Sequence, residues 1–429
     1  SSREGRASLE RKVSMRVIVV GNGIAGVNVA SGLSGAPGLE IEILSAETRP
    51  FYSRVRLPEV LSGASAPEAI TFYKPEWYEK KGITVRLGTR VESIDAARRR
   101  IMIAGGGEES YDALVLATGA VPNRPSVPGA ELAAVHAMRT LDDVEAIRAS
   151  LAREASSASV VGGGLLGLEA ARALAEAGAR SVRVFEVAPR LLPRQLDEAC
   201  AAILAARFRA MGIETVCAAE LAAFVPSDLD PARAGGLALK DGRTFPSATT
   251  ILSMGVRPEI SLARAAGIAC NRGIVVDDRM RSSASGVYAV GDCAEFGGVV
   301  WGIIPAALEQ APVAARAILA DLGLSGGAEA PRYAQTVPKT ALKVAGIELL
   351  SVGKAVPSAE ELSSGAVVER VRAGDDGSRY EKLVLERAEG GYRLAGAILF
   401  GSKARQAWAQ KAMGSPMTAA EADAMLSAE

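Results

Sequence analysis

Gly21, Gly23 and Gly26 stand in GNGIAG, directly after the β-branched run RVIVV. Gly162, Gly164 and Gly167 repeat the pattern in GGGLLG, 141 residues further on. Glycines at this spacing do not react; they expose backbone. The first permits a tight turn out of a strand, and the second lets a diphosphate reach main-chain N–H groups. The third lets the following helix pack close to the strand. Each copy leads to a second strand ending in an acid. LEIEILSAE ends at Glu47 and SVRVFE at Glu186, 21 and 19 residues past the last glycine. A carboxylate at that distance accepts hydrogen bonds from ribose hydroxyls. The competing reading, tight turns with unrelated acids, fits one copy better than two.

Two further strand ends carry polar groups. DALVLATG closes on Thr118 and Gly119, and GVYAVGDC carries Gly291 and Asp292. The second glycine unit lies between them, as an insertion would. Around these residues the chain must build strand–turn–helix units, and the composition permits it. Of 429 residues 49% are hydrophobic and 23% charged, which suits cores of two or three domains and excludes a disordered chain. Lys+Arg and Asp+Glu are both 49, so the basic excess expected of a duplex-binding protein is missing.

Metal and thiol chemistry find little support. The four cysteines, Cys200, Cys217, Cys270 and Cys293, form no C-x-x-C pair, and no metal site is expected from them. The single histidine, His136, has no nucleophile motif nearby and reads as structural or exposed. No apolar run is long enough to span a bilayer. The cysteine usage points to the cytoplasm. The polar leader 1–14 lacks an apolar stretch and reads as a flexible tail, with a targeting tail as the alternative.

GNGIAG, ATG, GGGLLG, TILSMGVRP and GVYAVGDCAEF together resemble the two-dinucleotide flavoprotein reductases of glutathione-reductase-like architecture, over about residues 15–325. RPFYSRVRLPEVLSG (49–63) and TALKVAGIELLSVG (340–353) are similar to the rubredoxin reductase and nitrite-reductase flavin-domain branch. The resemblance implies an α/β fold: two Rossmann-like domains, for FAD and NAD, plus a small C-terminal α+β domain. It implies that Gly21, Gly23, Gly26 and Glu47 hold the adenine half of FAD, with Thr118, Gly119, Gly291 and Asp292 completing that site. Gly162, Gly164, Gly167 and Glu186 hold the nicotinamide cofactor. Glu186 favours NADH over NADPH, because a carboxylate repels a 2′-phosphate; Arg190 nearby weakens that preference. Pro305 opens a helix whose amino end points at the flavin by resemblance, or belongs to an ordinary amphipathic core helix. Glu169 corresponds to an acid near the reacting rings, with Arg54 or Arg56 as its cation; those arginines are equally read as solvated residues.

Departures from the family pattern narrow the chemistry. No cysteine lies between Gly21 and Pro75, where disulfide and coenzyme A disulfide reductases carry theirs, and no histidine follows His136. The resemblance then implies hydride transfer from NADH to FAD and electron delivery elsewhere, to a small carrier such as rubredoxin or ferredoxin. Two alternatives stand beside it: a flavin subunit of a larger complex or an NADH oxidase, and a non-catalytic sensor holding both cofactors. Arg98–Arg100 reads as a solvated hairpin, or as a docking face for an acidic partner. The oligomeric state is left open.

The domain reading places residues 15–120 and 248–325 in a discontinuous FAD domain. Residues 121–247 form the NAD(P)H domain, entered through VPNRPSVPG. Residues 330–429 form the C-terminal domain after LGLSGGAEAP, with a hairpin turn at EGGY.

Overall fold

In a computed structural model the described residues are 14–153, 157–327, 329–336, 343–344, 346–374, 379–389, 391–401 and 403–427. The expected tail thus lies almost wholly outside them, as do parts of 340–353, the linker's Ala328 and EGGY's Gly390. The chain divides into two compact units: 1–53, 68–121 and 256–337, and 54–67, 122–255 and 338–429.

The first unit is built on a five-stranded parallel sheet. Its order is Val287–Ala289, Ala113–Leu116, Met15–Val20, Leu39–Leu44, Ile83–Arg86. Numbered along the chain this is 5-4-1-2-3, so the direction of winding reverses beside the first strand. In open α/β sheets the crevice beyond the carboxyl ends at that reversal is where ligands bind. Val17–Val19 are fully buried, as strands covered on both faces require. The helix Ile24–Leu33 runs against the helix Ile304–Asp321, and Gly32 makes the close approach. A Cβ there would lie 2.9 Å from the Ala315 Cβ.

The second unit repeats the plan. Its parallel sheet runs Ile213–Val216, Ser181–Phe185, Ser157–Val161, Thr249–Leu252, Val135–Ala137. The strand Thr249–Leu252, expected within the FAD domain, pairs instead with Ser157–Val161. The turn and short helix at 54–67 also group here, not with the first unit. The C-terminal residues contribute an antiparallel sheet. Tyr380–Ala388 and Gly391–Phe400 form its central hairpin, joined at Ala388 and Gly391, and two helices follow, Lys403–Ala412 and Ala419–Ser427.

Asp197, at the amino end of the helix Glu198–Ala210, ties this sheet in. Its carboxylate caps the Cys200 N–H at 3.0 Å and accepts from Tyr380 Oη at 2.6 Å and Lys382 Nζ at 3.1 Å. Lys382 is only 3% exposed, and its second partner is Glu369. A buried ammonium stays charged only when paired in this way.

Candidate functional site

The six glycines fall into two equivalent sets. Gly21 (φ +115°) and Gly162 (φ +116°) turn the chain out of their strands in a conformation that favours glycine. Their N–H groups donate to Leu44 O at 2.8 Å and Phe185 O at 2.7 Å. A Cβ would lie 2.3 Å from Ala117 O in the first copy and 2.1 Å from Ser253 O in the second. At Gly26 and Gly167 it would lie 2.1 Å and 1.9 Å from the carbonyl of the copy's first glycine. Gly23 and Gly164 differ from these four, because a Cβ on either meets nothing within 4 Å. Each is the amino-terminal cap of its helix, and no side chain caps either end.

Each loop therefore ends in an open cradle at a helix amino terminus, where partial positive charge and unpaired N–H groups suit a diphosphate. The residues present fit FAD in the first unit and a nicotinamide dinucleotide in the second. In each sheet the strand that flanks the glycine-loop strand on the side away from the acid-bearing strand closes its turn with the same device. Ala117-Thr118-Gly119 and Ser253-Met254-Gly255 match, with Gly119 at φ +73° and Gly255 at φ +77°. ATG is legible in the sequence as a site, whereas its counterpart in TILSMG shows its role only in the fold.

The two acids are held differently. Glu47 accepts from Tyr52 Oη at 2.5 Å, and that tyrosine is buried. Glu186 is 8% exposed and folds back on its own glycine loop. Oε2 accepts the Gly163 N–H at 2.7 Å, and Oε1 accepts the Ala188 N–H at 2.8 Å. Each carboxylate oxygen offers more than one acceptor direction, so capacity for ribose hydroxyls remains. Gly163, unmarked in the sequence reading, makes this possible: a Cβ there would lie 2.9 Å from the Glu186 Cβ. The first copy has Asn22 at that position. Asn22 takes Tyr78 Oη on Oδ1 at 3.2 Å, and its buried Nδ2 has no hydrogen-bond partner among the described residues. Arg190 is engaged within its own loop, donating to Leu196 O at 2.9 Å and Pro193 O at 3.1 Å.

Gly291 (φ +77°) packs its Cα face on Ala25, at the start of the first glycine helix, and donates to Gln310 Oε1 at 2.8 Å. The 3-10 turn Gly291–Cys293 thereby sets Asp292 in the first unit near that helix's start. Gln310, only 2% exposed, escaped the sequence reading; a buried glutamine mid-helix is the signal that marks it. Thr118 Oγ1 donates to Glu259 O at 2.6 Å, fixing the strand end. Pro305 occupies the first turn of Ile304–Asp321.

Glu169 and Arg54 both belong to the second unit. Glu169 is half-buried on the helix Leu165–Glu176, which packs on Leu57–Ser62. Arg54, in the turn just before Leu57, donates Nη1 to Arg139 O at 2.6 Å. Arg56 pairs with Glu59 on its own segment, Nη2 to Oε2 at 2.6 Å, and that pairing holds the Glu59 carboxyl below its usual range.

The remaining sequence candidates settle into structural places. His136 Nε2 lies 2.9 Å from Ser150 Oγ, and burial pushes the imidazole down. The four cysteines are free thiols, each raised by burial, Cys200 to about 12. A reactive thiol needs the opposite shift. Arg98 and Arg100 pair with Asp95 and Glu108 in a hairpin region. Among the described residues no group of three His, Cys, Asp or Glu can hold a metal ion, and no helix is long and apolar enough to cross a membrane.

Comparison with known proteins supplies the family. The family model for pyridine nucleotide-disulphide oxidoreductases matches residues 15–317, and that for the rubredoxin NAD+ reductase C-terminal domain matches 338–417. The chain is 34% identical to nitrite reductase [NAD(P)H] of Bacillus subtilis over 90% of its own length and 45% of that protein. It thus spans about half of such relatives. Rubredoxin–NAD(+) reductase of Pseudomonas putida is 35% identical over 65% of this chain and 72% of that one. Among solved structures, the covalent putidaredoxin reductase–putidaredoxin complex superposes with a TM-score of 0.78 at 26% identity, covering 96% of both chains. The chain belongs to the pyridine nucleotide-disulphide oxidoreductase family.

Proposed function

We propose that this chain is a cytoplasmic NADH-dependent flavoprotein reductase that delivers electrons to a small carrier protein of the rubredoxin or ferredoxin kind. The observation that carries the reading is the duplicated open cradle: two glycines with nothing within 4 Å of a would-be Cβ, each at an uncapped helix end with a strand-end acid nearby. FAD is assigned to Gly21, Gly23, Gly26, Glu47, Thr118, Gly119, Gly291 and Asp292. NADH is assigned to Gly162, Gly164, Gly167 and Glu186. When bound, FAD supplies the hydride-accepting and electron-releasing chemistry.

The protein's own work is placement and electrostatics. Glu186 sets the turn that receives the nucleotide diphosphate and opposes a 2′-phosphate. Arg190, committed to two carbonyls, is not poised to offset that opposition. Arg54 is assigned a positioning role through its bond to Arg139, and Glu169 a place at the reacting end of the second cradle's helix. Pro305 opens a helix whose amino end carries positive partial charge suited to an electron-rich ring.

The carrier assignment draws on the C-terminal match, on the named activity of the Pseudomonas relative, and on the missing thiol pair. It is tested by anaerobic stopped-flow mixing. NADH should bleach the flavin, and rubredoxin or ferredoxin should restore its colour faster than buffer does. Restoration no faster than buffer defeats the carrier assignment. Restoration by oxygen alone, or by a co-purifying chain, replaces the carrier with that acceptor.

A further inference from the structure

The second unit carries a cavity of about 760 Å³ away from its glycine loop. Its walls come from the strand Val135–Ala137, the helix Leu141–Arg153 and the loop bearing Arg233. Val135 begins its strand, and that strand runs parallel to Thr249–Leu252. The opening therefore lies at the amino-terminal edge of the sheet, opposite the carboxyl ends where Gly162–Gly167 form their cradle. Nothing in the proposed redox chemistry uses it.

Three arginines line the cavity, Arg124, Arg153 and Arg233, with Glu131 as the one acidic residue on its wall. The excess is two positive charges around a floor of small apolar side chains. Like charges gathered around one concavity repel each other, and an anion between them relieves that repulsion. Two of the three are mounted on fixed backbone. Arg124 Nη1 is anchored on Ala130 O at 2.9 Å. Arg233 lies between Ala232, which accepts the Ala133 N–H at 3.0 Å, and Ala234, which donates to Ala133 O at 2.8 Å. The polar groups His136 and Ser150 complete the wall, hydrogen-bonded to each other. We infer that this cavity is a binding site for a compact polyanion, a phosphoryl or polycarboxylate ligand, distinct from both dinucleotide cradles.

The chain holds one histidine, and it lines this cavity, so its imidazole resonance reports on the site alone. The charged groups acting on it are Arg124 and Arg233, which disfavour the imidazolium, and Asp143, which favours it; Glu131 and Arg153 share the wall. A bound anion adds negative charge there and moves the titration midpoint upward. The experiment uses flavin-loaded, nitrogen-15-labelled protein saturated with NAD+, titrated with inorganic pyrophosphate and, separately, with citrate. A saturable shift of the imidazole signal is expected, with a higher midpoint. Binding should weaken about tenfold or more in R153Q/R233Q, while NADH-driven flavin reduction stays unchanged. A response to pyrophosphate only makes the ligand phosphoryl, and a response to citrate only makes it a carboxylate. R153Q alone gives a milder form of the same loss should the double variant fold poorly. No response at millimolar probe, a response matched by chloride at equal ionic strength, or an undiminished response in the variants overturns the site.

Discussion

The contrast between Gly164 and Gly167 tests the cradle most directly, because one added methyl should do opposite things three residues apart. At Gly167 a Cβ would lie 1.9 Å from Gly162 O, where real contacts stay beyond 3.0 Å. Strand and helix must part by more than 1 Å, and such overpacking costs about 1–3 kcal/mol. Roughly 2–4 °C is lost per kcal/mol in a unit of this size, so Gly167→Ala should melt about 2–12 °C lower. At Gly164 the Cβ meets nothing within 4 Å and φ is −78°, which alanine adopts without strain. The fold should lose about 1 kcal/mol at most, the cost of alanine at a helix cap. The methyl stands instead where the diphosphate must reach the N–H groups. Loss of one charge-assisted hydrogen bond, about 1.5–3 kcal/mol, weakens NADH roughly ten- to a hundredfold. Thermal melts and NADH titrations of both variants read the two effects separately. Wild-type NADH affinity in folded Gly164→Ala, or a wild-type melting point in Gly167→Ala, would refute the geometry.

Three further outcomes are expected. Glu186→Gln keeps one acceptor oxygen but loses one of its two N–H clamps and its charge; the NADH KM should rise about tenfold while discrimination against NADPH falls. Steady-state kinetics unchanged for both nucleotides would remove Glu186 from the site. Asp292→Ala should purify depleted of flavin, read from the visible absorbance per polypeptide; full flavin content would contradict its assignment. Asp197→Asn should destabilise the second unit by about 3 kcal/mol, since buried Lys382 loses one of its two carboxylate partners. Burial works against ionised Asp197, but the bonds from Tyr380, Cys200 and Lys382 outweigh it and hold its pKa below the ordinary value. The stabilisation it gives is therefore present above about pH 3.9 and is lost as pH falls through the lower folded value. Acid melts of wild type and Asp197→Asn should converge there; parallel curves would exclude the linkage.

Local pattern carried much of the architecture in the sequence. A β-branched run, a spaced glycine triplet and an acid some twenty residues on are all short-range signals, and each appears twice. The structure places both triplets at strand–helix turns. What escaped were choices of partner. Thr249–Leu252 and Ala113–Leu116 are both short apolar strands, and nothing in TTIL says which sheet it will join; pairing with Ser157–Val161 is a long-range decision. The Asp197–Lys382 contact links residues 185 apart, beyond any periodicity. The requirement for Gly163 leaves no local mark, because it comes from the Glu186 side chain, which arrives only when the second strand folds beside it. Arg56 also finds a carboxylate one helical turn away, at Glu59, a local pairing that the spacing of the two residues allows.

The Glu186 carboxylate has a consequence for how coenzyme choice can evolve. In the proposed assignment one side chain both shapes the turn and screens the nucleotide, so the two traits would be inherited together. A lineage drifting toward the phosphorylated coenzyme cannot simply exchange this acid for a base. It must also find new acceptors for the amides of Gly163 and Ala188, and release Arg190 from Pro193 and Leu196. Under the proposed assignment, intermediates along that route would hold neither coenzyme well, which would make the proposed preference self-reinforcing.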